Sequence, residues 1–142
     1  MINRRRILLL KRRNLPFVLN PGVWSLIFGA IESGEDPLET AYREIREETA
    51  IPKESLRLVR GPEKVLLRYE RKGIMWYNDL YLFEAKTRRV KLDLENSAYR
   101  WASLDEIRKG IKYTNIFISE DLILSIIKSG LNESGNTKGK GR

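Results

Sequence analysis

Apolar residues form short runs between charged or turn-like residues in some segments of the chain, which is typical of strands, and recur at a helical spacing in others. The strand-like segments are residues 4–13, 24–28, 56–69, 74–85 and 99–102. The two longest of these are rich in β-branched and aromatic residues, and they flank a turn at residues 71–73. This arrangement predicts a long hairpin.

A signature of a helix start stands at residues 36–39. Asp36 is a favoured capping residue, Pro37 occupies the first helical position, and Glu39 completes a capping box. The helix is predicted to run to Thr49, because Pro52 disfavours helical geometry in the residue before it.

Two further helices are predicted nearer the C-terminus. Ser103 and Glu106 make a second capping box, which opens a helix that ends at Gly110. Residues 119–129 carry apolar side chains at helical spacing, and Gly130 is a natural stop. Beyond it the chain is mostly Gly, Lys, Asn and Ser, so residues 1–130 are predicted to form a single domain and residues 131–142 a disordered basic tail.

The amino-acid composition excludes several kinds of catalytic and metal site. The 142 residues include no cysteine and no histidine, which excludes disulfides, thiolate metal sites and Ser-His-Asp machinery. Neither a membrane helix nor a signal peptide is visible, so a cytoplasmic protein without a membrane partner is expected. The 27 basic and 19 acidic side chains give a formal net charge of +8. This charge favours polyanionic partners, although a solvated basic surface explains it equally well.

The helix predicted from Pro37 to Thr49 has two different faces. Apolar residues lie on one side, whereas Glu44, Glu47 and Glu48 fall within an arc of about 100° on another. Three neighbouring carboxylates repel one another, so a positive partner is expected. All-oxygen sites suit Mg²⁺, with Mn²⁺ as an alternative, and these ions commonly bridge carboxylates to phosphate oxygens. The competing interpretation is a solvated face whose acids pair with neighbouring arginines.

These acids belong to a longer segment with a distinctive spacing. The residues in register are Gly29, Glu35, Arg43, Glu44, Glu47 and Glu48, with aliphatic residues at Ile45 and Ile51. This segment resembles the Nudix box, except that Ala50 stands in place of a second glycine. The resemblance is strong over residues 29–51 and weaker over residues 4–128.

The resemblance implies an α/β fold, an α/β/α sandwich with a mixed β-sheet. It implies that Glu44, Glu47 and Glu48 bind metal ions, with Glu44 as a candidate general base. It also implies an ion pair between Arg43 and Glu35 that fixes the loop against the helix. Glu47 offers Arg43 an alternative local partner, four residues along the helix.

Two further positions are carried over from the family less directly. Phe28 stands for a family glycine whose carbonyl can contact metal, and Ile27 stands for the proline before it, so the loop departs from the family there. Glu95 precedes Trp101 by six residues, an offset at which some members supply a further metal ligand or base. A surface acid is the alternative interpretation of Glu95.

The expected function is Mg²⁺-dependent hydrolysis of the diphosphate linkage in a nucleoside diphosphate derivative. Nucleoside triphosphates, dinucleoside polyphosphates, ADP-ribose and capped or triphosphorylated RNA ends all remain open as substrates. Trp24, Phe28, Trp76 and Tyr77 are candidates for stacking on the nucleoside, and core packing is the alternative for each. The competing function is a non-catalytic Nudix-like domain that binds nucleotide or RNA. Nucleic acid is a weak candidate partner. A homodimer is a further expectation from the resemblance, because dimers are common in that family.

Overall fold

Seven strands of the described chain form one mixed sheet. The computed structural model describes residues 1–16, 21–27, 29, 31–69, 74–113, 116–117, 125 and 127–132. The strands are β1 (Ile2–Asn3), β2 (Arg6–Arg12), β3 (Trp24–Ser25), β4 (Leu56–Tyr69), β5 (Ile74–Ala85), β6 (Asn96–Ala102) and β7 (Ile116–Phe117). β1 pairs with β5 and β3 with β7 in parallel, whereas the remaining pairs, including the β4–β5 hairpin, are antiparallel. The expected mixed sheet and long hairpin are confirmed, and the hairpin turn itself lies outside the described residues.

The first predicted strand, residues 4–13, begins with a tight turn and not with extended backbone. Arg4 and Arg5 have φ angles of 46° and 63°, and Asn3 on one side of them pairs with Arg6 on the other. Positive φ at both central residues is what a two-residue type I′ hairpin requires. The prediction was therefore wrong at its start, because residues 4 and 5 form the turn that joins β1 to β2.

Two α-helices accompany the sheet, α1 (Pro37–Thr49) and α2 (Leu104–Tyr113), with a single 3₁₀ turn at Lys53–Ser55. Helical geometry is also present at residue 125 and over residues 127–132. Within the part of the chain that the structure describes, no helix is long and apolar enough to cross a lipid bilayer.

Both predicted glycine stops are wrong, because each helix continues past its glycine. α2 runs through Gly110 to Tyr113, and the last helical segment runs through Gly130. A Cβ on Gly130 would overlap the side chain of Leu82 in β5. Gly130 therefore permits close packing of helix on sheet, and Leu131 beside it is buried in the core. Residues 133–142, most of the predicted tail, lie outside the described residues.

The helices cover both faces of the sheet. Leu82 of β5 packs in one cluster with Ile107 of α2 and with Ile127. Its neighbour Phe83 packs in a second cluster with Ile45 of α1. Since successive side chains of a strand point to opposite faces, one layer of helix lies on each side. The α/β/α sandwich is therefore confirmed.

Helix α1 has the predicted bounds but a different start. The Asp36 side chain makes no capping hydrogen bond. Glu39 does not reach back to it, because its carboxylate accepts a hydrogen bond from Lys53 Nζ at 3.2 Å. The capping box was thus wrongly predicted. The Thr40 hydroxyl instead donates to the Glu35 carboxylate at 2.7 Å, which links the helix to the loop before it.

Helix α1 ends on a residue in left-handed geometry. Ala50 has φ 59° and ψ 16°, and this geometry costs a non-glycine residue roughly 1–3 kcal/mol. The greater freedom of glycine in the unfolded chain offsets about 0.4–1 kcal/mol of any gain. We therefore expect Ala50→Gly to raise the free energy of unfolding, measured by urea denaturation, by about 1 kcal/mol. Ala41→Gly inside the same helix is the control and should lower it by about 1 kcal/mol. A less stable Ala50→Gly variant would contradict the prediction.

Candidate active site

The loop before α1 is tied to the helix by a two-pronged ion pair. Nε and Nη2 of Arg43 donate to Oε2 and Oε1 of Glu35 at 2.8 and 3.0 Å. The Arg43 hydrogen bonds, together with that from Thr40, lower the pKa of Glu35 to about 2. Glu35 is therefore ionised at neutral pH, and the structure contains the Glu35–Arg43 pair that the sequence predicts.

The third nitrogen of the same guanidinium faces the acids of the helix. Nη1 of Arg43 donates to Glu44 Oε1 at 2.9 Å and to Glu47 Oε2 at 3.2 Å, and it lies 3.7 Å from Glu32 Oε1. Arg43 thus binds the local partner Glu47 in addition to Glu35. The Glu47 side chain is 52% exposed. One arginine therefore counters part of the repulsion among four acids.

Gly29 leaves room for the carboxylate of Glu44. A Cβ on Gly29 would overlap the Glu44 side chain, so a larger residue would displace this acid or the loop. Burial raises the pKa of Glu44, and repulsion from Glu47 and Glu95 acts in the same direction against the attraction of Arg43. The glycine is explained by this close approach of loop and helix.

Glu48 is the most deeply placed acid of the helix. It is 4% exposed, and its Oε1 accepts a hydrogen bond from Asn96 Nδ2 at 3.3 Å. Its Oε2 is buried and has no hydrogen-bond partner among the described residues. Burial raises the pKa of Glu48 to about 8, and repulsion from Asp93 and Glu44 adds to the increase against the hydrogen bond from Asn96. A buried, ionised carboxylate with an unpartnered oxygen is costly, so the group either holds a proton, as the raised pKa indicates, or binds a cation.

Two acids from the loop before β6 join Glu48. Carboxylate oxygens of Glu48, Asp93 and Glu95 all lie within 4.8 Å of one another. Glu95 was a sequence candidate, whereas Asp93 and Asn96 were not. Asp93 and Glu95 are two residues apart just before a strand. In extended backbone this spacing places both side chains on one side, so it could have indicated that the two carboxylates lie together. Nothing in the sequence marks Asn96.

The described acids fit a hard divalent cation. All three members of the group offer oxygen ligands, which suits Mg²⁺ or Mn²⁺. Glu48 is buried, Asp93 is half-buried and Glu95 is exposed, so the group leads from the core to solvent and leaves space for water ligands. Glu48 Oε2, which has no hydrogen-bond partner among the described residues, is positioned to accept such a cation.

Other sequence candidates lie elsewhere. Phe28 is outside the described residues, as are the side chains of Trp76 and Tyr77. Trp24 is half-buried and packs against the core cluster that contains Ile7. For Trp24, core packing is therefore the role that the structure supports.

A comparison with known families fits this arrangement of loop and acidic helix. The sequence model of the family described as "NUDIX domain" matches residues 1–119 of the chain. The chain belongs to the NUDIX domain family. Glu35 and Arg43 lie within the matched part of this NUDIX domain, as do Glu44, Glu47 and Glu48 of α1.

Curated relatives of this NUDIX domain include asymmetrical bis(5'-nucleosyl)-tetraphosphatases of mammals. The mouse protein, Mus musculus, is 36% identical over 88 residues, which are 58% of this chain and 57% of the mouse protein. The pig protein, Sus scrofa, is 32% identical over 117 residues, which are 70% of this chain and 78% of the pig protein. The match thus spans less than two thirds of the mouse relative.

Solved structures show the same fold. A Caenorhabditis elegans Ap4A hydrolase in a binary complex is similar with a TM-score of 0.59 and 24% identity, covering 94% of this chain and 87% of that one. A NUDIX family hydrolase from Clostridium perfringens is similar with a TM-score of 0.66 and 16% identity, covering 92% and 91%. At such identities the likeness concerns the fold of this NUDIX domain.

Proposed function

We propose that this NUDIX domain is a divalent-cation-dependent hydrolase that cleaves the diphosphate linkage of a nucleoside diphosphate derivative. The observation that carries the proposal is the buried Glu48 Oε2, which has no hydrogen-bond partner in the described part of the chain, beside the carboxylates of Asp93 and Glu95. A domain that only bound nucleotide through basic residues would have no use for a buried acid without a partner, because such a group destabilises the fold. Mg²⁺ is the proposed cofactor, and Mn²⁺ is the alternative.

The proposed roles of the side chains follow from their positions. The proposed ligands are Glu44, Glu47, Glu48 and Glu95. The carbonyl of Phe28 is proposed from the family resemblance alone, since Phe28 lies outside the described residues. When bound, a divalent cation would offset the negative charge of phosphate oxygens and make a water molecule more acidic. Glu44 is suited to accept a proton from the attacking water, because burial raises its pKa and thereby makes it a stronger base. Arg43 holds Glu44 and the loop in one geometry.

Dinucleoside polyphosphates are the substrate class that we favour. The mouse and pig relatives carry the name of enzymes that act on bis(5'-nucleosyl) tetraphosphates. Such substrates are polyanions, and the formal net charge of +8 would attract them to the protein. The other nucleoside diphosphate derivatives named from the sequence remain substrates to be compared.

A substrate panel tests this proposal. Diadenosine tetraphosphate, nucleoside triphosphates, ADP-ribose and triphosphorylated RNA would each be incubated with Mg²⁺, Mn²⁺ or EDTA, and the products separated by ion-exchange chromatography. We expect cation-dependent cleavage of the tetraphosphate into one nucleoside triphosphate and one monophosphate, because an asymmetrical cut divides four phosphates into three and one. A symmetrical cut would yield two diphosphates and would contradict the expected similarity to the relatives.

Matched variants of α1 separate site chemistry from general surface charge. Glu47→Gln is expected to lower kcat about 10- to 100-fold. Glu39→Gln removes one charge from the same helix at an exposed acid that pairs with Lys53, and it should retain wild-type activity. Undiminished turnover in EDTA would overturn the proposal. Binding of nucleotide or RNA without turnover of any substrate would favour the non-catalytic alternative.

A further inference from the structure

A single buried amide joins the helix and loop parts of the acidic site. Nδ2 of Asn96 donates to Glu48 Oε1 at 3.3 Å and to Asp93 Oδ1 at 2.8 Å. Asn96 is 1% exposed, so water does not compete for these two hydrogen bonds. An amide nitrogen carries two hydrogens, and here each serves one carboxylate.

The backbone around this amide is fixed on both sides. Asn96 begins β6 and pairs with Arg12 of β2. The N–H of Lys91 donates to the Thr49 carbonyl at the end of α1 at 2.9 Å, and the N–H of Arg13 donates to the Glu95 carbonyl at 2.7 Å. The loop that carries Asp93 is therefore attached to α1 at one end and to the sheet at the other.

The chemical type of the donor is as informative as its position. A lysine or arginine here would also bind both acids, but its charge would neutralise them and compete with a cation. A neutral amide orders the two carboxylates and leaves their negative charge intact. Because Asn96 takes Oε1 of Glu48, the other oxygen, Oε2, has no partner among the described residues. This unpartnered oxygen is an indication of a ligand that is independent of the clustering of acids.

We propose that Asn96 is a positioning residue that holds Glu48 and Asp93 in one orientation for a divalent cation, and that Asp93 thereby supplies a further carboxylate to the site. This inference rests on the proposed function of the same site. It adds a residue of the 86–95 loop to the acids of α1 and assigns a task to a buried amide that takes no part in proton transfer.

Mn²⁺ binding by the full chain, measured by isothermal titration calorimetry, tests the inference without reference to turnover. Asn96→Ala and Asp93→Asn are each expected to weaken Mn²⁺ binding about 10- to 100-fold. The double variant should lose less than the product of the two single losses, since the residues act as one unit.

Asn3→Ala is the matched control for the loss of a buried amide. Asn3 Nδ2 donates to the Ala85 carbonyl at 2.7 Å, and Asn3 Oδ1 accepts a hydrogen bond from Arg88 Nε at 2.7 Å. Neither contact involves the three carboxylates, so this variant should lower Tm but leave the Kd for Mn²⁺ unchanged. Wild-type Kd values in both Asn96→Ala and Asp93→Asn, in a wild-type protein that hydrolyses its substrate, would overturn the inference and leave the proposed function standing. If Asn96→Ala does not fold, the half-buried Asp93→Asn alone decides the result. Mn²⁺ binding that depends on Asn96, without turnover of any substrate, would instead overturn the proposed function.

Discussion

Glu48→Gln is expected to reduce cation-dependent hydrolysis by about 10³-fold or more and, at the same time, to stabilise the cation-free protein. Both effects have one origin. Glu48 is 4% exposed, and one of its carboxylate oxygens has no hydrogen-bond partner among the residues that the structure describes. The negative charge is therefore needed for the proposed cation binding but is unfavourable for folding. Gln has nearly the same shape and carries no charge, so it removes the ligand and the cost of burial together.

The stabilisation should depend on pH. Burial raises the pKa of Glu48 from 4.5 to about 8, so the folded protein holds this proton more tightly than the unfolded chain. The contribution of Glu48 to stability is therefore fully present below pH 4.5 and is lost as the pH rises through 8. In EDTA the Tm of Glu48→Gln should match that of the wild type near pH 5 and exceed it by on the order of 5 °C at pH 9.

Thermal denaturation in EDTA between pH 5 and pH 9, together with kcat measurements in Mg²⁺, checks this prediction. Glu39→Gln again controls for a charge removed from α1, and its Tm difference from the wild type should not grow with pH. A Tm gap for Glu48→Gln that is independent of pH would show that the carboxylate is not held in a buried environment. Retention of wild-type kcat would remove Glu48 from the proposed site.

Local signals explain which parts of the fold could be predicted. Pro37 at the start of α1 and Pro52 beyond its end restrict the backbone by their own chemistry, and the predicted bounds of the helix agree with the structure. The turn at Arg4 and Arg5 has the positive φ angles that usually require Gly, Asn or Asp. Two arginines give no such signal, so β1 was missed.

Long-range pairing explains which parts of the site could not be predicted. Glu44, Glu47 and Glu48 could be recognised because they recur within five residues of one helix. Asp93 and Asn96 reach Glu48 only because β6 pairs with β2 and the loop is attached to Thr49. Spacing along the chain carries no information on that approach. Glu95 was found through its offset from Trp101, which is a property of the family and not of the local sequence.

Arg43→Lys is expected to lower hydrolysis about 10- to 100-fold and to lower Tm, although it preserves the charge. The guanidinium donates through three nitrogens, to Glu35 through Nε and Nη2 and to Glu44 and Glu47 through Nη1. An ammonium group is a compact point charge without this fork, so it cannot hold the loop and both helix acids at once. Glu44, which lies against Gly29, should lose its fixed position.

The geometry of Arg43, more than its charge, is therefore the quantity to be tested. kcat in Mg²⁺ and Tm would be measured for Arg43→Lys, for Arg43→Ala and for Arg46→Lys, an exposed arginine on the same helix that serves as the control. If the planar guanidinium geometry is decisive, the kcat and Tm of Arg43→Lys should lie closer to those of Arg43→Ala than to those of the wild type. Arg46→Lys should have wild-type kcat and Tm. Wild-type behaviour of Arg43→Lys would mean that one positive charge among these acids suffices. Combining Arg43→Lys with Glu35→Gln should cost less than the sum of the single effects, because each change breaks the same attachment of loop to helix.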